Sequence, residues 1–349
     1  MMRAFYHADQ ALHNPQQYLR FGRFVSPKDL PSRTERLLAA LHERGIVPEK
    51  SLECGIAPAL MVHTLAYLEF LQTVWDRWAQ LPDHGPEVWP NTFPYYSGRV
   101  EADTRPPCPT TGIVGQIGWF LGDLSVPMGP QTWVSSLRSC ETAVSAADAL
   151  LSGEPMVYAL CRPSGHHART DRASGFCYLN NTAVAAQHLR QKYRKLAIID
   201  VDAHHGDGTQ QIFYNRGDVL TISVHADPDN YYPFFTGYAG EIGQGEGEGT
   251  NLNIPLPHAS DGPVMITAIE RAAASVRTFG AEALVFALGF DAHKDDPIGV
   301  LRLESDDFGD IGRQVKALGL PTLVVQEGGY AVEVIGDCLS AFLDGVLPS

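Results

Sequence analysis

The 349-residue sequence has little positive charge, with 26 Lys and Arg against 40 Asp and Glu and a net charge of −14. A surface of this sign repels phosphate backbones and anionic lipid head groups, which argues against nucleic-acid or membrane binding through bulk electrostatics. No apolar run approaches the ~20 residues needed to span a bilayer, and the N-terminus lacks the apolar core of a signal peptide. We therefore expect a cytoplasmic protein that binds neither nucleic acid nor membranes.

Cysteine is also sparse. The six cysteines form no C-x-x-C pair and no dense framework, so the sequence predicts reduced thiols rather than a disulfide scaffold. The apolar fraction of 44% and the charged fraction of 19% are typical of a globular protein with a large core. The length allows one or two domains, and we expect a single domain over residues 1–349.

Apolar runs alternate with amphipathic segments over much of the chain. The predicted strands are 3–6, 156–160, 196–201, 219–225, 283–288 and 322–326. The predicted helices are 64–80, 132–151, 181–192, 263–279, 306–318 and 332–346, with a short helix from Gly208. An earlier helix is predicted to start at a capping box of Ser32 and Glu35 and to end at Gly45. This alternation predicts an α/β fold with a central, multi-stranded parallel sheet covered by helices on both faces.

Residues 81–112 differ from their surroundings because prolines alternate with Trp, Phe and Tyr. Prolines at this density exclude a regular helix or a central strand. A loop of this length within a compact domain is usually functional or part of an interface.

Four predicted strands end in unusual polar residues, and parallel strands place such ends at one edge of the sheet, where ligands bind. Asp202 and His204 are two residues apart, so their side chains can point to the same side, and Asp291 would complete the set. Three ligands leave a position for water, as in catalytic zinc sites, where the bound water has a pKa of about 7. Iron(II), manganese or cobalt would also suit this set of donors.

Histidines and a tyrosine near these ligands are candidates for proton transfer. His166 and His167 follow a tight turn, and Asp200 and Asp207 could each orient one imidazole. Tyr330 follows two glycines that allow close backbone approach, so its hydroxyl could donate to a developing oxyanion. Core packing with a capped hydroxyl is the alternative role of Tyr330.

Five motifs occur in order along the chain. They are Arg162-Pro163-x-Gly165-His166-His167-Ala168, Gly175-Phe176-Cys177-Tyr178-x-Asn180-Asn181, Asp200-Val201-Asp202-x-His204-His205-Gly206-x-Gly208-Thr209, Asp291-Ala292-His293 before a proline-containing turn, and Glu327-Gly328-Gly329-Tyr330. Together they resemble the zinc-dependent histone deacetylase superfamily, and the early helical region and the insertion are most similar to bacterial acetylpolyamine amidohydrolases. This resemblance implies the arginase-deacetylase fold, one zinc ion, and hydrolysis of small cationic N-acetylated amines to free amine and acetate.

The resemblance also implies a role for each motif residue. Asp202, His204 and Asp291 would bind zinc, His167 would act as general base and then acid, and Tyr330 would hold the tetrahedral oxyanion. The other implied roles are electrostatic assistance by His166, tunnel walls at Phe176 and Tyr232, and structural potassium binding by Asp200, the Ser223 hydroxyl and the carbonyls of Asp202, His204 and Val224. The 81–112 insertion would lie at a homodimer interface and narrow the active-site mouth.

One departure from the resemblance concerns the substrate. Acidic residues that read a distal ammonium follow the insertion in the amidohydrolases, but this chain has Val114 and Ser125 at the aligned positions. Asp123, Glu101 and Asp103 are near in sequence without a clean match. A shorter substrate such as acetylcadaverine or acetylputrescine, or a different acylated amine, is therefore compatible with the sequence.

Three alternative functions remain open from the sequence. A broader lysine or acyl-amide deacylase acting on peptides would use the same residues. A dimanganese ureohydrolase shares the fold but needs more carboxylate ligands, and His293 stands where an aspartate would be required. A catalytically silent binding protein is disfavoured because every catalytic position is filled.

Overall fold

A computed structural model describes residues 2–94 and 105–347. The strands are β1 (Arg3–Tyr6), β2 (Tyr18–Arg20), β3 (Arg23–Val25), β4 (Glu49–Lys50), β5 (Met156–Ala159), β6 (Leu196–Asp200), β7 (Val219–Ala226), β8 (Asn251–Leu256), β9 (Ala283–Leu288) and β10 (Thr322–Gln326). The α-helices are α1 (Pro31–Glu43), α2 (Leu65–Trp78), α3 (Ile113–Phe120), α4 (Thr132–Leu151), α5 (Asn181–Leu189), α6 (Asp207–Phe213), α7 (Gly262–Phe279), α8 (Asp307–Ala317) and α9 (Val332–Val346).

Eight strands form one sheet in the order β4-β1-β5-β10-β9-β6-β7-β8. Every neighbouring pair is parallel, whereas β2 and β3 form a separate antiparallel hairpin. The inner strands β6, β9 and β10 are buried along their whole length, as their continuous apolar sequences require for a sheet covered on both faces. The predicted parallel α/β architecture is confirmed.

Each face of the sheet carries its own apolar core, because successive strand residues point to opposite sides. In β6, Ile198 belongs to the apolar core that includes side chains of α2, α4 and α5, whereas its neighbour Ile199 belongs to the core that includes side chains of α1, α7, α8 and α9. The two cores hold the sheet rigidly between helical layers. The loops at the carboxyl ends of the strands are thereby built on a fixed platform.

The predicted capping box at Ser32 and Glu35 is wrong. Helix α1 begins at Pro31 after Leu30, and no side chain caps it. Pro31 has no N–H to satisfy and a fixed φ that suits the first helical position, so the helix starts there without a cap. The sequence prediction also missed the edge strands β4 and β8, the β2–β3 hairpin and helix α3, which are short or flanked by polar loops.

The described part of the proline-rich insertion, residues 81–94 and 105–112, contains no helix or paired strand beyond an isolated bridge between Val88 and Met128. The indole N–H of Trp78 donates to the Gly85 carbonyl at 3.0 Å and ties the start of the insertion to α2. Glu101 and Asp103 lie outside the described residues.

The six cysteines all lie within the described residues, and each is a free thiol. Across the described residues, we find no helix with the length and apolar character that crossing a membrane demands.

Candidate metal centre and active site

Two carboxylates and one imidazole meet at the carboxyl edge of the sheet. Asp202 and His204 follow β6, and Asp291 follows the adjacent strand β9. One ligand atom from each lies within 4.8 Å of the others, and all three side chains are buried. His204 Nδ1 is 2.8 Å from Asp291 Oδ2 and 3.2 Å from Asp202 Oδ1. The structure thus brings together the three ligands that the sequence predicted.

Two glycines leave the space that these carboxylates occupy. A Cβ on Gly289 would lie 2.3 Å from Asp202 Oδ2, and a Cβ on Gly328 would lie 2.5 Å from the same atom and 2.7 Å from Asp291 Oδ2. The Gly328 N–H also donates to Asp202 Oδ2 at 2.8 Å. Any larger residue at either position would push the carboxylates apart, so the chain encodes a close pair of acids here.

The electrostatics of this cluster fit a divalent cation. Burial and the neighbouring Asp202 raise the pKa of Asp291 to about 7. Against its burial, Asp291 raises the pKa of His204 to about 9. Burial is the largest cause of the Asp291 shift, and the two neighbouring carboxylates outweigh burial at His204. A bound cation would compensate two buried carboxylates beside one imidazole, and the mixed oxygen and nitrogen donors suit zinc or iron(II).

His166 and His167 lie side by side next to the metal ligands, with ring centroids 4.0 Å apart. His166 Nδ1 is 2.9 Å from Asp200 Oδ2, and its Nε2 is 3.8 Å from Asp202 Oδ1. His167 Nδ1 is 2.7 Å from Asp207 Oδ1. Each imidazole therefore has its own carboxylate on Nδ1, as the sequence suggested, which fixes both ring orientations.

The two imidazoles have opposite charge preferences. Burial opposes a charge on His166, but Asp202 and Asp200 outweigh it and raise the pKa of His166 well above its ordinary value. Burial and the neighbouring His166 instead lower the pKa of His167 to about 4. A divalent ion on Asp202 would weaken the attraction felt by His166, since bound cations offset nearby carboxylates. His167 is the member of the pair that stays neutral and able to accept a proton.

Arg169 completes the support of His167. Its Nε and Nη2 lie 3.1 and 2.9 Å from Asp207 Oδ2, so Asp207 bridges the guanidinium and the imidazole. Although Asp207 is buried, Arg169 holds the pKa of this carboxyl well below its ordinary value. Arg169 was not predicted from the sequence, although it follows the paired histidines by only two residues.

Glu327 supports the turn that presents the histidines. Its Oε2 accepts from the Gly165 and His166 N–H groups at 2.7 and 3.1 Å, and its Oε1 accepts from the Thr182 hydroxyl at 2.7 Å. Glu327 also lies close to His166 and Cys177 in a second group of metal-type donors. Since its oxygens hold the backbone of the Gly165–His166 turn and the Thr182 hydroxyl, we assign Glu327 a structural role.

Tyr330 lies at the cavity with its backbone and ring both fixed. Its N–H donates to Asp296 Oδ2 at 2.7 Å, and the Arg33 guanidinium lies 4.7 Å from the ring centroid. Arg33 also donates to the carbonyls of Gly329 and Glu327. Neither Arg33 nor Asp296 was predicted from the sequence, because nothing local distinguishes them.

A cavity of about 290 Å³ reaches His204, one of the three candidate metal ligands, and is also lined by His167 and Tyr330. Aromatic side chains dominate its walls, including the predicted Phe176 and Tyr232 as well as Tyr18, Tyr231 and Phe234. The Tyr232 ring meets His167 edge-on at 4.9 Å, and the Phe176 ring meets Tyr330 at 5.6 Å. The walls therefore contact the candidate catalytic residues directly.

Of the described residues at or near the positions expected to bind a distal ammonium, some line the cavity and others do not. Ser125 lines the cavity, whereas Val114 lies on α3 and is not among the lining residues. Asp123 is half-buried, and both of its oxygens accept hydrogen bonds from the protein. Arg20 is the one lining side chain with a permanent charge among the described residues, so the aromatic walls offer no carboxylate to a distal ammonium there.

The residues predicted for potassium are also close together. Asp200 and Ser223 are direct neighbours in the pairing of β6 with β7, and Val224 follows Ser223. Asp200 Oδ1 accepts from the Asp202 N–H at 3.0 Å. The Ser223 hydroxyl lies 2.8 Å from His225 Nδ1.

Comparisons with known proteins agree with this geometry. The histone deacetylase domain family matches residues 28–346. The acetylpolyamine amidohydrolase of Burkholderia pseudomallei is 43% identical over 345 residues, covering 99% of this chain and 98% of that protein. The acetylpolyamine amidohydrolase of Mycoplana ramosa is 42% identical over 354 residues and covers 99% of both chains.

Two solved structures have folds similar to that of this chain. A crystal structure of acetylpolyamine aminohydrolase from Burkholderia pseudomallei superposes with a TM-score of 0.94 and 42% identity, covering 99% of this chain and 98% of that one. The HDA15 HD domain superposes with a TM-score of 0.80 over 100% of this chain and 91% of its own. At 24% identity, this second likeness concerns the fold alone.

Proposed function

The chain belongs to the histone deacetylase family, and we propose that it is a metal-dependent amidohydrolase that removes acetyl groups from small N-acetylated amines such as acetylpolyamines or acetylcadaverine. One observation carries the proposal: the buried ligand set of Asp202, His204 and Asp291 lies beside the paired imidazoles at the end of an aromatic cavity. The relatives named acetylpolyamine amidohydrolases support the substrate class.

Zinc fits the donor set best, with iron(II) as the alternative, and when bound it polarises the amide carbonyl and lowers the pKa of water. The protein residues supply the rest of the chemistry. His167 accepts the proton of the attacking water and later donates it to the leaving amine nitrogen, because Asp207 holds its Nδ1 and leaves Nε2 free. The Tyr330 hydroxyl donates to the carbonyl oxygen as negative charge develops there.

His166 has an electrostatic role in this scheme. Asp200, 2.9 Å from Nδ1 of His166, favours its charged form, and a positive charge 4.0 Å from the His167 ring favours the neutral, proton-accepting state of His167. The walls formed by Phe176 and Tyr232 enclose the alkyl chain of the substrate and exclude water from the reacting amide.

Two further assignments belong to the same proposal. Asp200, the Ser223 hydroxyl and the carbonyls of Asp202, His204 and Val224 hold a structural potassium ion. The insertion at residues 81–112 forms a homodimer interface within a single deacetylase domain and restricts access to the cavity.

A substrate panel tests the substrate class. We expect the metal-loaded protein to hydrolyse acetylcadaverine and acetylputrescine with a kcat/KM at least about 10-fold above that for an acetyl-lysine peptide, because a narrow aromatic cavity admits a straight chain more readily than a backbone. Release of free amine from each substrate gives the measurement. A preference for the peptide would overturn the small-amine assignment while leaving the deacetylase assignment in place.

A further inference from the structure

Asp123 is a half-buried carboxylate beside the cavity wall that the proposed chemistry does not use. Its Oδ2 accepts from the Tyr232 hydroxyl at 2.7 Å and from the Gly175 N–H at 2.9 Å. Its Oδ1 accepts from the Ser125 N–H at 2.7 Å. The Asp123 side chain therefore binds three groups that border the cavity, namely the Tyr232 hydroxyl and the N–H groups of Gly175 and Ser125.

The segment carrying Asp123 is itself fixed to the cavity wall. Leu121 forms a parallel bridge with Ala173, and the Gly122 N–H donates to the Ala173 carbonyl at 2.7 Å. A Cβ on Gly122 would lie 2.8 Å from the Arg172 side chain, so this close approach requires glycine. Asp123 thus reaches the wall from an anchored strand-like segment rather than from a free loop.

The two groups that share Asp123 Oδ2 come from two separate segments of the cavity lining. Tyr232 belongs to one segment, and Gly175 directly precedes Phe176 in the other. Gly175 and Phe176 both have positive φ values, +52° and +67°. The positive φ is strained only at Phe176, which needs fixed surroundings to persist, and the Asp123 carboxylate holds the residue before it.

One side chain, Tyr232, connects Asp123 to His167, the proposed general base. The Tyr232 ring that Asp123 holds packs edge-on against His167. A Cβ on Gly175 would lie 2.4 Å from His167 Cδ2. A shift of either wall would therefore change both the width of the cavity and the space around His167.

From these contacts, we propose that Asp123 is a positioning residue that sets the width of the substrate tunnel by holding Tyr232 and the Gly175–Phe176 turn with one carboxylate oxygen. The inference rests on the proposed function, because it concerns the alkyl tunnel of the same site. It assigns to Asp123 a role in shape selectivity and not in contacting a distal ammonium.

Selectivity for substrate shape tests this role. We compare acetylcadaverine with an analogue of equal charge that carries a methyl branch beside the amide, and measure kcat and KM for both. Asp123→Ala should lower kcat/KM for acetylcadaverine about 10-fold or more, because small displacements of positioning groups are costly. The ratio of kcat/KM for straight over branched substrate should fall by about 10-fold, since a looser tunnel tolerates the branch.

Tyr232→Phe gives a milder and structurally safer variant. It keeps the ring and removes the hydroxyl that Asp123 holds, so we expect the straight-to-branched ratio to fall about 3-fold. In the Asp123→Ala background the same change should have little further effect, because both residues act through one contact. The control is Asp261→Ala, which removes an acceptor of backbone N–H at the start of α7 and is not among the lining residues.

The outcomes separate this inference from the function on which it rests. An unchanged ratio in both variants, with loss of thermal stability only, would assign Asp123 a purely structural role and overturn the inference. If Asp123→Ala does not fold, the ratio measured in Tyr232→Phe decides alone. A wild-type protein that hydrolyses neither substrate would instead overturn the proposed function.

Discussion

Tyr330→Phe should lower kcat for acetylcadaverine about 10²–10³-fold without loss of folding, as the removal of one oxyanion-stabilising donor does in other hydrolases. The substitution removes only the hydroxyl. The backbone N–H still donates to Asp296, and the ring still packs beneath Arg33 and against Phe176. Steady-state kinetics, metal content and the thermal midpoint, measured on one preparation, provide the comparison.

Tyr158→Phe is the matched control for this experiment. The Tyr158 hydroxyl is also buried and donates to Gln326 Oε1 at 2.6 Å, but it lies within the sheet and away from the cavity. We expect its removal to lower the free energy of unfolding by about 1 kcal/mol and to leave kcat near the wild-type value. A Tyr330→Phe enzyme with near-normal kcat would show that core packing is the role of this tyrosine.

His167→Ala should have the second large effect, a fall in kcat of about 10²–10⁴-fold with the metal retained. His167 is the imidazole whose pKa is lowered, to about 4, by burial and by His166, so it is neutral and can accept a proton. Asp207→Asn should lower kcat less, because it disturbs the orientation of His167 but leaves the base in place.

The combination of the two substitutions provides the sharper test. If Asp207 acts on catalysis only through His167, Asp207→Asn should have little further effect on kcat in the His167→Ala protein. If the two substitutions instead lower kcat independently, so that their effects multiply in the double variant, Asp207 contributes to catalysis in another way. A His167→Ala protein with more than about a tenth of wild-type kcat would remove His167 from the role of general base.

Much of the site could be predicted because parallel strands bring distant sequence segments to one edge. Asp202 and Asp291 are far apart in the chain, yet β6 and β9 are neighbours and both end there. A buried strand followed by acids and histidines was therefore sufficient to predict that Asp202, His204 and Asp291 lie together. Asp200 and Asp207 belong to the same sequence motif and were not assigned to the metal, so they were predicted as the partners of His166 and His167.

The supporting contacts could not be predicted, because they join segments that no local pattern relates. Arg33 lies on the first helix and donates to the Glu327 carbonyl, 294 positions away. Asp123 appeared in the sequence as an acid near a substrate-reading position, but it accepts three hydrogen bonds from the protein and is not a free carboxylate. Local rules also failed at Ser32, where the proline at the preceding position determines how the helix begins.

Metal analysis of the purified protein tests the central claim most directly. We expect about one divalent ion per chain in the wild type, and a substoichiometric amount in Asp291→Ala, because that substitution removes one of three ligands from a buried cluster. Deacetylase activity should follow the metal content of the two preparations. A wild-type protein without a stoichiometric ion, or an Asp291→Ala protein that retains it, would contradict the account.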